Sequence, residues 1–226
     1  MNYKQVCLGR FLSRPNRFIA RVELDGRIET VHVKNTGRCK ELLIPGAKVV
    51  LSIADKPERK TKYDLIAVYK EGTGLINMDS QAPNAAAKEL LKRLYPNCRV
   101  IGEQKCGESR FDFALDGETG RSWVEVKGCT LERNGHCFFP DAPTERGVKH
   151  LRSLRDLALQ GVDTTVLFLV QMKGAIDLAP NDETDPAFGQ ALREAAAAGV
   201  HILCYDCLVT EDSMYADAPL PVVLGE

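Results

Sequence analysis

The chain has 226 residues, 44% of them hydrophobic and 27% charged, enough for one large or two small cores and unlike a disordered segment. The apolar run at 166–170 is far too short to span a bilayer, and the first residues lack the apolar core of a secretion signal, so a soluble cytoplasmic protein is expected. The net charge of −1 divides unevenly: residues 1–80 carry 15 Lys and Arg against 9 Asp and Glu, and residues 81–226 carry 15 against 22. Halves of opposite sign suggest two units, the basic one facing either a polyanion or merely solvent.

Residues 1–80 read as all-β. Alternating or β-rich runs fall at 3–12, 17–24, 28–33, 46–53 and 63–69, with breaks at 14–16, 25–26, 35–37 and 56–58. The stretch 36–43, between the third and fourth runs, is long enough for two helical turns. Five strands with a helix after the third predict a small OB-type barrel, an architecture that binds single strands along basic, aromatic-studded grooves. Arg10, Arg14, Arg17, Arg21, Lys34, Arg38 and Lys40 supply charge; Phe11, Phe18 and Tyr69 either stack on bases or fill the barrel. Thr36, Gly37 and Arg38 bring backbone amides and a guanidinium to a phosphate, or form a plain turn; the basic balance favours phosphate.

Residues 79–84 read as a linker into a second unit, 81–226. Asn84 is the expected cap of a helix at 85–94, stopped by Pro96. Strands follow at 98–106, 109–115 and 122–131, then an Asn134-Gly135 turn returns the chain through 137–139. A helix runs from Thr144 to Gly161, a buried strand spans 165–171, a helix capped by Asp185 with Pro186 in its first turn ends at Gly199, and 200–204 reads as the last strand. That order predicts an α/β sheet flanked by helices.

The chemistry gathers on two neighbouring strands. Alternate strand residues share a face, so Phe111, Phe113, Leu115, Val124 and Val126 are expected to point to a core and Asp112, Glu125 and Lys127 away from it. In a hairpin that pairs Leu115 with Ser122, Asp112 falls directly opposite Glu125. Like charges opposed on a sheet destabilise by up to about 1 kcal/mol. A divalent cation, Mg²⁺ or Mn²⁺, removes the conflict, since it takes one or two carboxylates plus water and phosphate oxygens. Lys127, two residues from Glu125, then stands near the nucleophilic water or the scissile phosphate. Arg146 and His150, four apart on the second helix and placed opposite its apolar stripe, either hold phosphate and assist proton transfer or are simply solvated. Asp141 is a helix cap or a further cleft acid.

The eight cysteines offer little to a metal. Cys204 and Cys207 have C-x-x-C spacing but lack a second pair, and Cys204 is expected to end a strand rather than open a helix; buried, inert thiols are the better reading.

The order helix, strand, Asp strand, E-x-K strand, helix, strand resembles the core of the PD-(D/E)XK nuclease superfamily. That resemblance implies Asp112 and Glu125 as metal ligands and Lys127 as the catalytic lysine, with Glu89 of the first helix, or Glu103, as an added acid; Phe111 stands where many members have Pro. Four segments, 32–39, 110–113, 124–131 and 139–151, resemble the sugar fermentation stimulation protein (SfsA) family, the run Pro140-Asp141-Ala142-Pro143-Thr144 with Arg146-Gly147 being the most specific. The resemblance implies an OB-like N-terminal domain, a nuclease-like C-terminal domain, DNA binding, and an association with regulation of sugar use, maltose especially; the basic balance of the barrel makes Arg17, Lys34, Thr36, Gly37, Arg38 and Lys40 the candidate nucleic-acid contacts. Two functions compete: a DNA-binding protein with a Mg²⁺-dependent phosphodiesterase site, and a non-catalytic DNA-binding regulator. Two carboxylates facing phosphate repel it unless a cation intervenes, which favours the first.

Overall fold

The computed structural model describes residues 1–35, 37–54 and 58–225. Three strands, β1 (Val6–Asn16), β2 (Ile19–Leu24) and β3 (Arg27–Val33), form an antiparallel meander. The β2–β3 turn is made by Asp25 and Gly26 at φ of 51° and 75°, the left-handed pair that a tight hairpin requires. β4 (Lys48–Ile53) pairs with β1 and with β5 (Tyr63–Lys70), and β3 meets β5 in parallel at His32↔Asp64 and Val33↔Leu65. That last contact closes a five-stranded barrel, and β6 (Gly74–Asn77) adds a hairpin to β5.

Two expectations for this region fail. β1 runs through Pro15 instead of breaking at 14–16, because Pro15 falls in a register irregularity between Ser13 and Asn16 where no ladder N–H is needed. Among the described residues of 36–43 there are turns and no helix: Cys39 takes a φ of 44°, off the helical path, and its carbonyl accepts from Leu42 and Leu43. Thr36, Lys56 and Pro57 lie outside the described residues.

The second half is built on a mixed sheet. Its central strands are parallel: β9 (Gly120–Cys129), β12 (Thr164–Val170) and β14 (His201–Val209). Antiparallel strands flank them, β8 (Ser109–Gly117) and β7 (Arg99–Cys106) on one side and β15 (Met214–Pro219) on the other. Three short strands, β10 (Glu132–Arg133), β11 (His136–Phe139) and β13 (Asp177–Pro180), make a small separate sheet around the Asn134-Gly135 turn. Helix α1 (Ala82–Leu94) covers one face of the main sheet through Ala86, Leu90 and Leu91 against Val124, Val126, Leu167 and Leu169. Helices α2 (Glu145–Ala158) and α3 (Pro186–Ala197) cover the other, with Leu151, Leu154, Phe188 and Leu192 against Val166, Phe168 and Val170. None of the helices among the described residues is long and apolar enough to cross a membrane.

Local chemistry sets the helix starts. Thr144 caps α2 by accepting from the Gly147 amide at 3.0 Å, and Asp185 caps α3 through Phe188 at 3.1 Å, as its sequence predicts. α1 differs: it begins at Ala82 with Gln81 as a cap that makes no side-chain bond, leaving Asn84 inside the helix with its amide free for other use. The final strand is not at 200–204, since β14 continues through Cys204 and Cys207 to Val209 and β15 follows it.

The two halves share one apolar body. Phe11, Val22, Leu51 and Leu65 of the barrel belong to the same continuous cluster as Cys129, Leu151, Phe168 and Phe188. Polar clasps surround it: Lys70 meets Glu132, Tyr69 donates to Glu211 at 2.6 Å, and the Tyr3 amide donates to the Asp212 carbonyl at 2.7 Å.

Candidate active site

Strands β8 and β9 pair as far as Phe113↔Val124 and then separate. Asp112 therefore does not sit in a ladder position opposite Glu125. Its side chain enters the gap instead, with Oδ2 accepting from the Val126 amide and Oδ1 from Asn84 Nδ2, both at 2.8 Å. β7 likewise pairs on either side of Asp112 and not at it, where Glu103 takes a φ of 49°. The strand turns over at this point. Phe113 packs under α1 while Phe111, two residues earlier, joins Trp123 and His150 on the opposite side, so the expected single apolar face is split.

Glu125 is 3% exposed. Its Oε1 accepts from Lys127 Nζ at 2.6 Å and also meets His150 Nδ1. Its Oε2 is buried and has no hydrogen-bond partner among the described residues. Burial opposes the charge on this carboxyl, but His150 and Lys127 outweigh it and hold the group below its ordinary range. Asp112 moves the other way: burial, and then the neighbouring Glu125 carboxylate, raise it against the bonds from Val126 and Asn84. The structure thus brings Asp112, Glu125, Lys127 and His150 together. A buried anionic oxygen without a donor, beside a second carboxylate pushed toward protonation, is a donor set that a hard divalent cation satisfies. Among the described residues no cluster of three or more His, Cys, Asp or Glu side chains forms a cage, so such an ion would take its remaining ligands from water or substrate.

The other expected residues are placed differently. Glu89 is 60% exposed and meets the Met1 amino group at 3.5 Å; Asn84, one turn earlier, is the α1 side chain that touches Asp112. Sequence reasoning missed this because Asn84 looks like a cap. Glu103 is exposed and paired with Arg110. His150 is not opposite the apolar stripe of α2 but at its border, buried with its ring steeply inclined to that of Phe111, while Arg146 is exposed. Periodicity alone assigns a border position to either side.

In the barrel, Lys34 is tied to the buried Asp79 at 3.0 Å, an acid also bonded by the Tyr3 hydroxyl. Arg14 spends its guanidinium on the carbonyls of Arg17, Asn35, Gly37 and Arg38, and so fixes the loop rather than presenting charge. Arg17 stacks on Phe18 at 4.9 Å, and Phe18, Arg38 and Lys40 are exposed. Phe11 fills the barrel core, and Tyr69 bonds Glu211 across the domain boundary. Gly37 packs against Asp141, whose Oδ2 accepts from the Arg38 amide at 3.1 Å, so Asp141 fastens the two halves and does not cap α2.

Comparisons with known proteins agree with this architecture. The family model described as "SfsA N-terminal OB domain" matches residues 12–78, and that described as "Sugar fermentation stimulation protein RE domain" matches residues 81–213. The chain is 53% identical over 228 residues to a sugar fermentation stimulation protein homolog of Desulfitobacterium hafniense, with all of both chains covered. It is 49% identical over 227 residues to that of Clostridium beijerinckii, covering 99% of this chain and 100% of the relative. A solved structure of Pyrococcus furiosus SfsA in complex with Ca²⁺ superposes with a TM-score of 0.88 at 29% identity, covering 99% of this chain and 98% of that one. With a matching domain model on each half and full-length relatives at about half identity, the chain belongs to the sugar fermentation stimulation protein family.

Proposed function

We propose that this chain is a DNA-binding, divalent-metal-dependent phosphodiesterase, with Asp112 and Glu125 holding Mg²⁺ or Mn²⁺. The observation that carries the reading is the buried, partnerless Glu125 Oε2 beside a carboxylate whose proton affinity Glu125 itself raises. The Ca²⁺ held by the Pyrococcus relative is consistent with a hard-cation site in this fold. The ion, when bound, supplies Lewis acidity toward the phosphoryl oxygens and lowers the pKa of a coordinated water. The protein's own residues do the rest. Asn84 and the Val126 amide orient Asp112; His150 and Lys127 hold Glu125 Oε1 and leave Oε2 to face its ligand. Lys127 offsets charge on the phosphate as water attacks phosphorus, the opposite P–O bond breaks, the water proton leaves to solvent and the departing oxygen is reprotonated from solvent. Arg17 with Phe18, Arg38 and Lys40 offer the exposed charge and ring that a DNA backbone and an unpaired base need.

Labelled duplex and single-stranded DNA incubated with Mg²⁺ or Mn²⁺ tests the reading. Cleavage is expected for the wild type, falling about a hundredfold or more in a purified Lys127→Ala protein prepared in parallel. DNA binding without cleavage under every condition would instead make the chain a non-catalytic binder.

A further inference from the structure

A cavity of about 170 Å³ lies between the two halves, one residue beyond Lys127 along β9. Asn35, Gly37, Ser80, Gly128, Asp141 and Gln171 line it, with Phe138 and Phe139 on its apolar side. Its polar groups have a common sense. Gln171 is 2% exposed and spends Nε2 on the Asn77 carbonyl, Asn77 Oδ1 and the Asp79 carbonyl, which leaves Oε1 without a donor among the described residues. Asp141 uses Oδ2 for the Arg38 amide, and Oδ1 has no hydrogen bond among the described residues. Asn35 Oδ1 accepts from the Gly37 amide, its Nδ2 donates to the Met78 carbonyl, and Ser80 donates its hydroxyl proton to the Lys34 carbonyl. Among the described residues the unused side-chain oxygens are Gln171 Oε1 and Asp141 Oδ1, and Thr130 adds a hydroxyl to the lining.

Acceptors repel phosphate and welcome hydroxyls. The space is also guarded by small residues: a Cβ on Gly128 would stand 2.5 Å from both Gln171 Oε1 and Pro83 Cγ, and one on Gly37 would stand 2.4 Å from Asp141 Oδ2. Resting on the phosphodiesterase reading above, we infer that this cavity receives the terminal sugar of a DNA strand through its free 3′-hydroxyl. Pro83 of the cavity wall adjoins Asn84, which bonds Asp112, so the phosphodiester behind that sugar would then lie toward the carboxylates, and nucleotides would be removed from the 3′ end. A 5′ end, which ordinarily carries a phosphate, is disfavoured by the same two oxygens.

The test separates the pocket from the chemistry. Binding of 5′-labelled single-stranded DNA is measured by fluorescence anisotropy in Ca²⁺, with the 3′ end as hydroxyl or as phosphate. At least tenfold tighter binding of the hydroxyl form is expected, with the preference lost in Asp141→Asn and the hydroxyl form weakened in Gly128→Ala, both folded by circular dichroism. Equal affinity of the two forms for the wild type overturns the pocket. In the cleavage arm, with Mg²⁺ or Mn²⁺, linear 3′-hydroxyl DNA is expected to shorten from its 3′ end while a circular strand of the same sequence survives. Cleavage of the circle overturns end recognition but leaves the phosphodiesterase standing. No binding of any strand overturns both.

Discussion

His150 and Asn84 touch the two carboxylates without competing for the space between them, so substitutions there read out positioning. Ligand-orienting partners of this kind typically contribute ten- to a hundredfold in metal affinity. His150→Phe is expected to weaken Mn²⁺ binding at least tenfold by titration calorimetry, with partial rescue in His150→Gln, which keeps a donor; unchanged affinity in both would show that Glu125 needs no orientation. Asn84→Ala removes one of the bonds that hold Asp112 ionised against burial and Glu125. The expected result is a severalfold loss of affinity that recovers as pH rises, since a carboxyl whose folded-state pKa is raised further must lose its proton to bind. A different carboxylate sets acid sensitivity in the barrel. Asp64 is buried; burial works against its charge, but Arg59 and His32 prevail and depress its pKa. Its folded-state value lies below the unfolded one, so its stabilisation is complete above the usual carboxylate range, about pH 4, and is lost as pH falls through the depressed value. Asp64→Asn is expected to cost about 2 kcal/mol at pH 7 and progressively less below about pH 4 in urea melts. A deficit that stays constant with pH would refute the assignment.

At the scale of elements, the decisive feature is that β8 turns over at Asp112. Sequence alternation placed both carboxylates on one face and in adjacent strands, and their chain positions do bring them to one site. Alternation has no term for a strand that parts from its neighbours, so it put Phe111 beside Phe113 when they occupy opposite cores. The barrel strands were readable because β2 and β3 alternate, β4 and β5 are apolar β-rich runs, and turn residues such as Asp25-Gly26 bound them. β15 was not, since Met-Tyr-Ala-Asp-Ala-Pro lacks the β-branched residues that mark a strand, and it is held by pairing with β14 rather than by local preference. The segment from Gly37 to Cys39 is another case where tertiary contact decides. Local signals suggested helix, but Arg14 binds the carbonyls of Asn35, Gly37 and Arg38 from one side and Asp141 binds the Arg38 amide from the other. Arg14→Lys keeps the charge and loses the planar fork; a loss of about 1–2 kcal/mol in denaturant melts is expected. If Arg14→Lys is as stable as the wild type, the loop is held by Asp141 alone.

For the whole molecule, the continuous cluster from Phe11 to Phe188 and the Lys70–Glu132 and Tyr69–Glu211 clasps bind barrel and sheet into one unit. Unfolding followed by the fluorescence of the single Trp, Trp123 in the second half, is therefore expected to coincide with loss of β signal from the barrel by circular dichroism. Two separate transitions would mean that the halves fold independently and that the cavity between them opens on its own. The pairing of the first residues with the last strands has a further meaning. Asn2 bridges to Ser213 and the Tyr3 amide bonds Asp212. During synthesis the backbone of Asn2 and Tyr3 waits for residues 212–213, although the Tyr3 side chain already has Asn77 and Asp79 to bond in the barrel half. Completion of the fold is thus timed by the arrival of the β14–β15 hairpin, and a nascent protein halted before that hairpin holds Tyr3 by its side chain alone.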